Sequence, residues 1–200
     1  MTLTLPDIQT VLWVAFAFLC GALPFSVWVT SLGGADARAV GDHNPGATNA
    51  LKAGGWKSGL AALLLDTSKA AFPVGLACQV FGLNGPGLLL IAIAPMLGHA
   101  YSPFLKFRGG KALATALGVW IGLTLWDVPL VALAGIVFWF VLLRNSGWAV
   151  LLSLLGIASY LFFFRPEPLL LEVLGLQSLL LLWKHRQDLR KMPSIQLKSR

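Results

Sequence analysis

Between Gly41 and Gly55 the sequence reads GDHNPGATNALKAGG, in which small residues are interspersed with side-chain amides and a hydroxyl. Glycine lets the backbone turn its N–H groups toward one guest, and Asn44, Thr48 and Asn49 can add side-chain donors. An anion would suit such a nest. The same composition also suits a turn that caps the following helix, and the segment alone does not choose between the two.

A second segment, FLKFRGGKALAT, ends one apolar run and opens the next. Gly109, Gly110 and Lys111 precede an expected helix N-terminus, where unpaired N–H groups, the helix dipole and an ammonium converge on negative charge. That is a phosphate-site arrangement, although the nucleotide loop GxxxxGK[ST] is absent. Lys106 and Arg108 read instead as interface anchors that snorkel to lipid headgroups.

The third segment, LLWKHRQDLRKM, follows the last apolar run and places His185, Asp188 and Leu189 on one helical face. A histidine and an aspartate three apart could hold a phosphate or shuttle a proton, and a basic run after a last span also arises simply from membrane orientation. Inside an apolar run, Asp66 and Lys69 share a helix face and are natural partners, as a functional pair or as a structural ion pair. His99, in MLGHAYSPFLKF, reads as an interior or a catalytic histidine. No Cys/His cluster has metal-ligand spacing, and no metal or other cofactor is expected.

The elements that position these residues are membrane helices. Of 200 residues, 57% are hydrophobic and 12% charged, against roughly 45–50% and 25% in soluble domains. Cys20 and Cys78 lie in apolar runs, so a disulfide scaffold is excluded and free thiols are expected. Apolar runs predict spans at 10–32, 58–81, 86–105, 112–126, 128–143, 147–164 and 168–184. The fold class is therefore an all-α integral membrane protein with about seven transmembrane helices, or five plus a re-entrant hairpin should the short fourth and fifth runs turn back. One polytopic domain, 1–200, accounts for the whole chain. No basic residue precedes the first run, which reads as a retained span rather than a signal peptide.

In either version the three polar segments fall on one membrane face, which collects thirteen of the fifteen basic residues; Lys69 lies within a span and Arg165 on the other face. The positive-inside rule makes that face cytoplasmic, with the N-terminus outside and the C-terminus inside. The net charge of +7 thus reports orientation, and no nucleic-acid partner is expected.

Taken in order, GDHNPGATN, LLLDTSK, LGHAYSPFLKFRGGKALAT and KHRQDLRKM resemble the motifs of the bacterial acyl-phosphate:glycerol-3-phosphate acyltransferases, the PlsY family, over nearly the whole length. The resemblance implies an inner-membrane enzyme with its site facing the cytoplasm. It would move a fatty acyl group from acyl phosphate to the 1-hydroxyl of sn-glycerol 3-phosphate, giving lysophosphatidic acid and phosphate, with membrane lipids around it and no obligate protein partner. Carried over by motif, Asn44, Gly46, Thr48 and Asn49 would ligate a phosphate or the oxyanion. Gly109, Gly110, Lys111 and Thr115 would form the glycerol-phosphate loop, and His185 would bind phosphate or transfer a proton. Asp66, Lys69 and His99 would support them.

The chain departs from the family pattern at five positions. The usual GSGN is Gly41-Asp42-His43-Asn44, so a carboxylate replaces a serine hydroxyl. Asp42 would repel phosphate or accept the glycerol hydroxyl proton. The usual arginine is Lys52, which keeps charge but loses bidentate geometry. The usual GGKG ends in Ala112, and an asparagine of the third motif is Asp188. These changes motivate a second class of function, an altered paralogue that binds a lipid phosphate or uses another acceptor. A small anion transporter is the third class, without the internal repeat or paired broken helices that would point to it.

Overall fold

The computed structural model describes residues 7–143 and 145–195. Arg144, Lys198 and Arg200, counted above on the basic face, lie outside the described residues, as does the 1–6 segment read for a signal peptide. The described chain is helical apart from one antiparallel bridge between Leu143 and Ile195. It divides into two compact units, one ending at Leu123 and the other beginning at Thr124.

The first unit contains α1 (Ile8–Ala22), α2 (Phe25–Leu32), α3 (Ala47–Gly75), α4 (Gly85–Ala100) and α5 (Leu113–Thr124). The run expected at 10–32 is thus broken at Leu23–Pro24. Proline supplies no N–H and its ring excludes the preceding carbonyls from a regular helix, so α1 stops and α2 restarts. The carbonyls released there are used: Ser102 Oγ donates to Ala22 O at 2.6 Å and Lys69 Nζ to Leu23 O at 2.8 Å. Broken helices persist in membrane proteins where protein groups satisfy the freed backbone in this way.

Helix α3 begins earlier than the expected 58, at Ala47, because the polar loop folds into a helical stretch of its own. Gly55, at φ +78°, kinks it before the apolar part begins at Trp56. A π-turn, Leu76–Val80, extends its far end.

Helices α1 and α4 run in the same direction, with Thr10 beside Gly87 at one end and Ala22 beside Ser102 at the other. Their contact is close because it is made by glycines: a Cβ at Gly21 would overlap the Pro95 carbonyl, and one at Gly98 the Phe18 carbonyl. Without a hydrophobic drive between helices in lipid, such small-residue seams let backbones approach and gain dispersion contact. Helix α3 lies antiparallel to α1, with Trp13 against Phe81 and Phe16 against Phe72. Helix α5 packs on α3 through Gly118 at Thr67 and Gly122 at Gly75, and Gln79 Nε2 donates to the terminal carbonyls of Gly122 and Leu123.

The second unit contains α6 (Asp127–Leu142), α7 (Ser146–Phe164), α8 (Pro168–Lys184) and the single turn α9 (Arg186–Leu189). Helices α6 and α7 are antiparallel, with Gly135 on Ser153 and Asp127 paired with Arg165. Among the described residues four helical stretches are long and apolar enough to cross a membrane: Ile8–Leu32, Ala47–Val80, Gly85–Leu105 and Ser146–Phe164. Helices α5 and α6 have 12 and 16 residues, about 18 and 24 Å at 1.5 Å rise against a hydrocarbon core of about 30 Å. Leu12, Leu64, Phe72, Leu130, Val137 and Phe162 are exposed, as a lipid-facing surface requires.

Candidate active site

The first polar loop is shaped by two left-handed residues, Gly41 at φ +62° and His43 at φ +59°. Histidine is held there by a hydrogen bond from its Nδ1 to the Arg38 carbonyl, 2.9 Å. Between them Asp42 turns back toward the N-terminus of α3. Asn49 Nδ2 donates to Asp42 Oδ1 at 2.8 Å and to the Asn44 carbonyl at 2.8 Å, and Asn44 Nδ2 donates to Asp42 Oδ2 at 3.2 Å. The two asparagines thus organise a carboxylate. Thr48 and Lys52 are exposed, Gly46 caps α3 in an extended conformation, and the Lys52 ammonium stands beside Gly41.

The second loop delivers Lys111 to the same carboxylate, Nζ to Asp42 Oδ2 being 2.7 Å. Burial alone would raise the Asp42 pKa. The hydrogen bond and charge of Lys111, with the Asn44 and Asn49 amides, outweigh it and hold the carboxyl well below the usual carboxylate range. So depressed a carboxylate is a weak base, poorly matched to accepting an alcohol proton near neutrality. The geometry makes Asp42 a counter-charge to Lys111.

Glycines 109 and 110, expected to cradle a phosphate, are packed against the chain itself. A Cβ on Gly109 would overlap the His99 carbonyl, and one on Gly110 would overlap both the Pro45 carbonyl and His99 Nε2. The Gly110 N–H, expected to face an anion, donates to His99 O at 3.2 Å. Ala112 follows at φ +62°, a left-handed position at the place where the family pattern has glycine. Thr115 is fully buried in the first turn of α5, and its hydroxyl has no partner among the described residues.

Beneath the loops, the expected pairing of Asp66 and Lys69 is present at 2.7 Å, and Lys69 Nζ also lies 2.8 Å from His99 Nδ1. All three residues are buried. Asp66 Oδ2 is without a hydrogen-bond partner among the described residues. An apolar groove of about 460 Å³ runs along α1 from Thr10 to Leu19 and meets Leu90; none of the loop residues lines it.

In the second unit, buried His185 donates from Nδ1 to the Leu181 carbonyl at 2.9 Å. Ser146 Oγ donates to the Asp188 carboxylate at 2.9 Å. Asn145, missed by sequence reasoning, holds this segment. Its Oδ1 caps α7 by accepting from Gly147 N, while its Nδ2 donates to the carbonyls of Asp188 and Lys191. An asparagine immediately before the apolar run at Ser146 is a helix-start signal; nothing local marks its long-range bonds. Among the described residues no group of three or more His, Cys, Asp or Glu side chains could hold a metal.

A family profile described as Glycerol-3-phosphate acyltransferase matches residues 11–194. Glycerol-3-phosphate acyltransferase 1 of Thermotoga maritima is 34% identical over 192 residues, covering 89% of this chain and 95% of its own. The glycerol-3-phosphate acyltransferase of Methylobacillus flagellatus is 37% identical over 184 residues, covering 90% and 91%. Among solved structures, the integral membrane acyltransferase PlsY in its glycerol 3-phosphate form superposes with a TM-score of 0.84 at 31% identity, covering 91% of this chain and 90% of that one. Its lysophosphatidic acid form gives 0.83 at 30%, with the same coverage. With a matching profile over most of its length and relatives above 30% identity over nine-tenths of it, the chain belongs to the glycerol-3-phosphate acyltransferase family.

Proposed function

We propose that this protein transfers a fatty acyl group from acyl phosphate to the 1-hydroxyl of sn-glycerol 3-phosphate in a bacterial inner membrane. It is a glycerol-3-phosphate acyltransferase, and relatives so named cover about nine-tenths of the chain. Within the molecule, the observation that carries the reading is the meeting of Lys111 with the Asn44–Asn49 loop, since it puts an ammonium, amides and a helix N-terminus around one anion position.

Asp42 occupies that position in the structure. The phosphate of glycerol 3-phosphate displaces the carboxylate from Lys111, and the loop amides turn to the incoming oxygens. The 1-hydroxyl oxygen then attacks the acyl carbonyl carbon, the carbonyl–oxygen bond to phosphate breaks, and the hydroxyl proton leaves with the departing phosphate. An acyl phosphate is already activated, so positioning and stabilisation of the oxyanion supply most of the catalysis. From the third motif, His185 is the residue assigned phosphate binding or proton transfer. Seven crossings with the N-terminus outside put both loops on the cytoplasmic side.

Asp42 also favours a second reading, a paralogue that binds a lipid phosphate without turnover, because a neutralised lysine is a weaker phosphate ligand. One assay separates the two: detergent-purified protein with palmitoyl phosphate and glycerol 3-phosphate, following phosphate and lysophosphatidic acid together. Equal release of both, abolished in Lys111→Ala, is expected. Binding of palmitoyl phosphate with neither product would establish the second reading, and unimpaired Lys111→Ala kinetics would remove the loop from the site.

A further inference from the structure

Lys69 lies within hydrogen-bond distance of three groups from three elements: Asp66 Oδ1 at 2.7 Å, the Leu23 carbonyl at 2.8 Å and His99 Nδ1 at 2.8 Å. An ammonium has three protons and no acceptor, so it is saturated by these contacts only if His99 Nδ1 accepts. The remaining proton of a neutral imidazole is then on Nε2. That edge stands, together with the Pro45 carbonyl, over the face of Gly110 that a side chain would fill. The space left beside Lys69, His99, Ser102, Pro45 and Gly110 is about 10 Å³, enough for one water at most.

We propose that His99 is a positioning residue whose Nε2–H tautomer is dictated by Lys69, and that it sets the spacing between the Pro45 loop and the Gly109–Gly110–Lys111 loop. The break at Pro24 supplies the Leu23 carbonyl, Asp66 fixes the ammonium, and the ammonium fixes the imidazole. The imidazole holds Gly110 by its ring on one side while its own backbone carbonyl takes the Gly110 N–H. His99 acts on substrate only through Lys111, one residue beyond this contact. Among the described histidines the arrangement is distinctive, because His43 and His185 both direct Nδ1 at carbonyl oxygens and must carry the proton there.

Two experiments on the full chain test this. In the ¹⁵N-histidine-labelled protein in detergent at neutral pH, the His99 ring, assigned by its loss in His99→Gln, is expected as the neutral Nε2–H tautomer. A His99 ring with its proton on Nδ1, or an imidazolium, overturns the proposal whatever the protein catalyses. The kinetic arm rests on the acyltransferase reading. Glutamine places its amide nitrogen near Nε2, whereas asparagine reaches only Nδ1. His99→Gln should therefore keep the KM for glycerol 3-phosphate within about twofold, while His99→Asn raises it at least tenfold with a smaller change in kcat. Equal KM effects of the two variants, or a larger one for glutamine, would overturn the positioning role. A wild type that shows the expected tautomer and no turnover would count against the enzyme reading alone.

Discussion

The carboxylate of Asp42 and the ammonium of Lys111, sixty-nine residues apart in sequence, are 2.7 Å apart in the folded chain, so the lysine expected to bind phosphate already has an anionic partner. On the proposed reading, substrate binding is an exchange of anions. Replacing the carboxylate by a hydroxyl, Asp42→Ser, should lower the KM for glycerol 3-phosphate about fivefold, the equivalent of roughly 1 kcal/mol for a half-exposed ion pair. kcat should be retained. Steady-state kinetics check this, and a fall in kcat at unchanged KM would make the carboxylate a participant in the chemistry.

The same pair has a pH signature. The folded pKa of Asp42 is depressed, so its contribution to stability is present above the unfolded value of about 3.9 and is lost only as pH falls through the lower folded value. Asp42 is thus ionised throughout the neutral range. The acid limb of the kcat/KM profile between about pH 5 and 8 should stay in place in Asp42→Asn, a range in which histidine titrates instead. Disappearance of the limb in that variant would contradict the assignment.

At Ala112, the left-handed backbone costs a non-glycine residue roughly 1–2 kcal/mol, against about 0.8 kcal/mol for burying one methyl. Ala112→Gly should accordingly leave thermal stability in detergent unchanged or raise it slightly. A β-branched Ala112→Val should lower both stability and turnover, since it combines a disfavoured φ with a buried site.

Asn145 ties the start of α7 to the turn after α8. Removing its side chain in Asn145→Ala should cost about 1–2 kcal/mol as a lost cap. Hydrogen exchange of the amides of residues 186–191 should accelerate while those of α6 hold their protection. Uniform acceleration across the second unit would show that the residue supports the unit as a whole.

The turn between α5 and α6 reports topology. In a variant with Cys20 and Cys78 replaced, Trp126→Cys should react with a membrane-impermeant thiol reagent from outside the cell if both short helices cross. Reaction only after permeabilisation would establish the re-entrant hairpin. Trp126 is exposed, so access within the protein does not limit the test.

Each of the apolar runs read from hydropathy falls on helix among the described residues, because lipid burial imposes a long composition bias that survives ignorance of packing. Hydropathy missed the interruption of the first, where Pro24 was masked by apolar neighbours, and the helical stretch of 47–54, where glycine and polar residues resemble loop. Asp66 and Lys69 were legible as partners because helical spacing is a local property. Their extension to His99 and Leu23 was not, since it joins residues 30 and 46 positions away. Gly109 and Gly110 were legible as part of a phosphate-loop pattern, whereas their packing on His99 and Pro45 lay in parts of the chain that no local pattern reaches.

The absence of a side chain at Gly110 leaves the Pro45 loop and the glycine–lysine loop with a shared backbone surface. A segment grafted from a relative at 41–49 alone would bring a Pro45 carbonyl set for a different neighbour, and one grafted at 108–115 alone would meet an unmatched histidine edge. These stretches form one exchangeable module with His99, and a chimera that aims to move substrate preference between family members has to carry all three together.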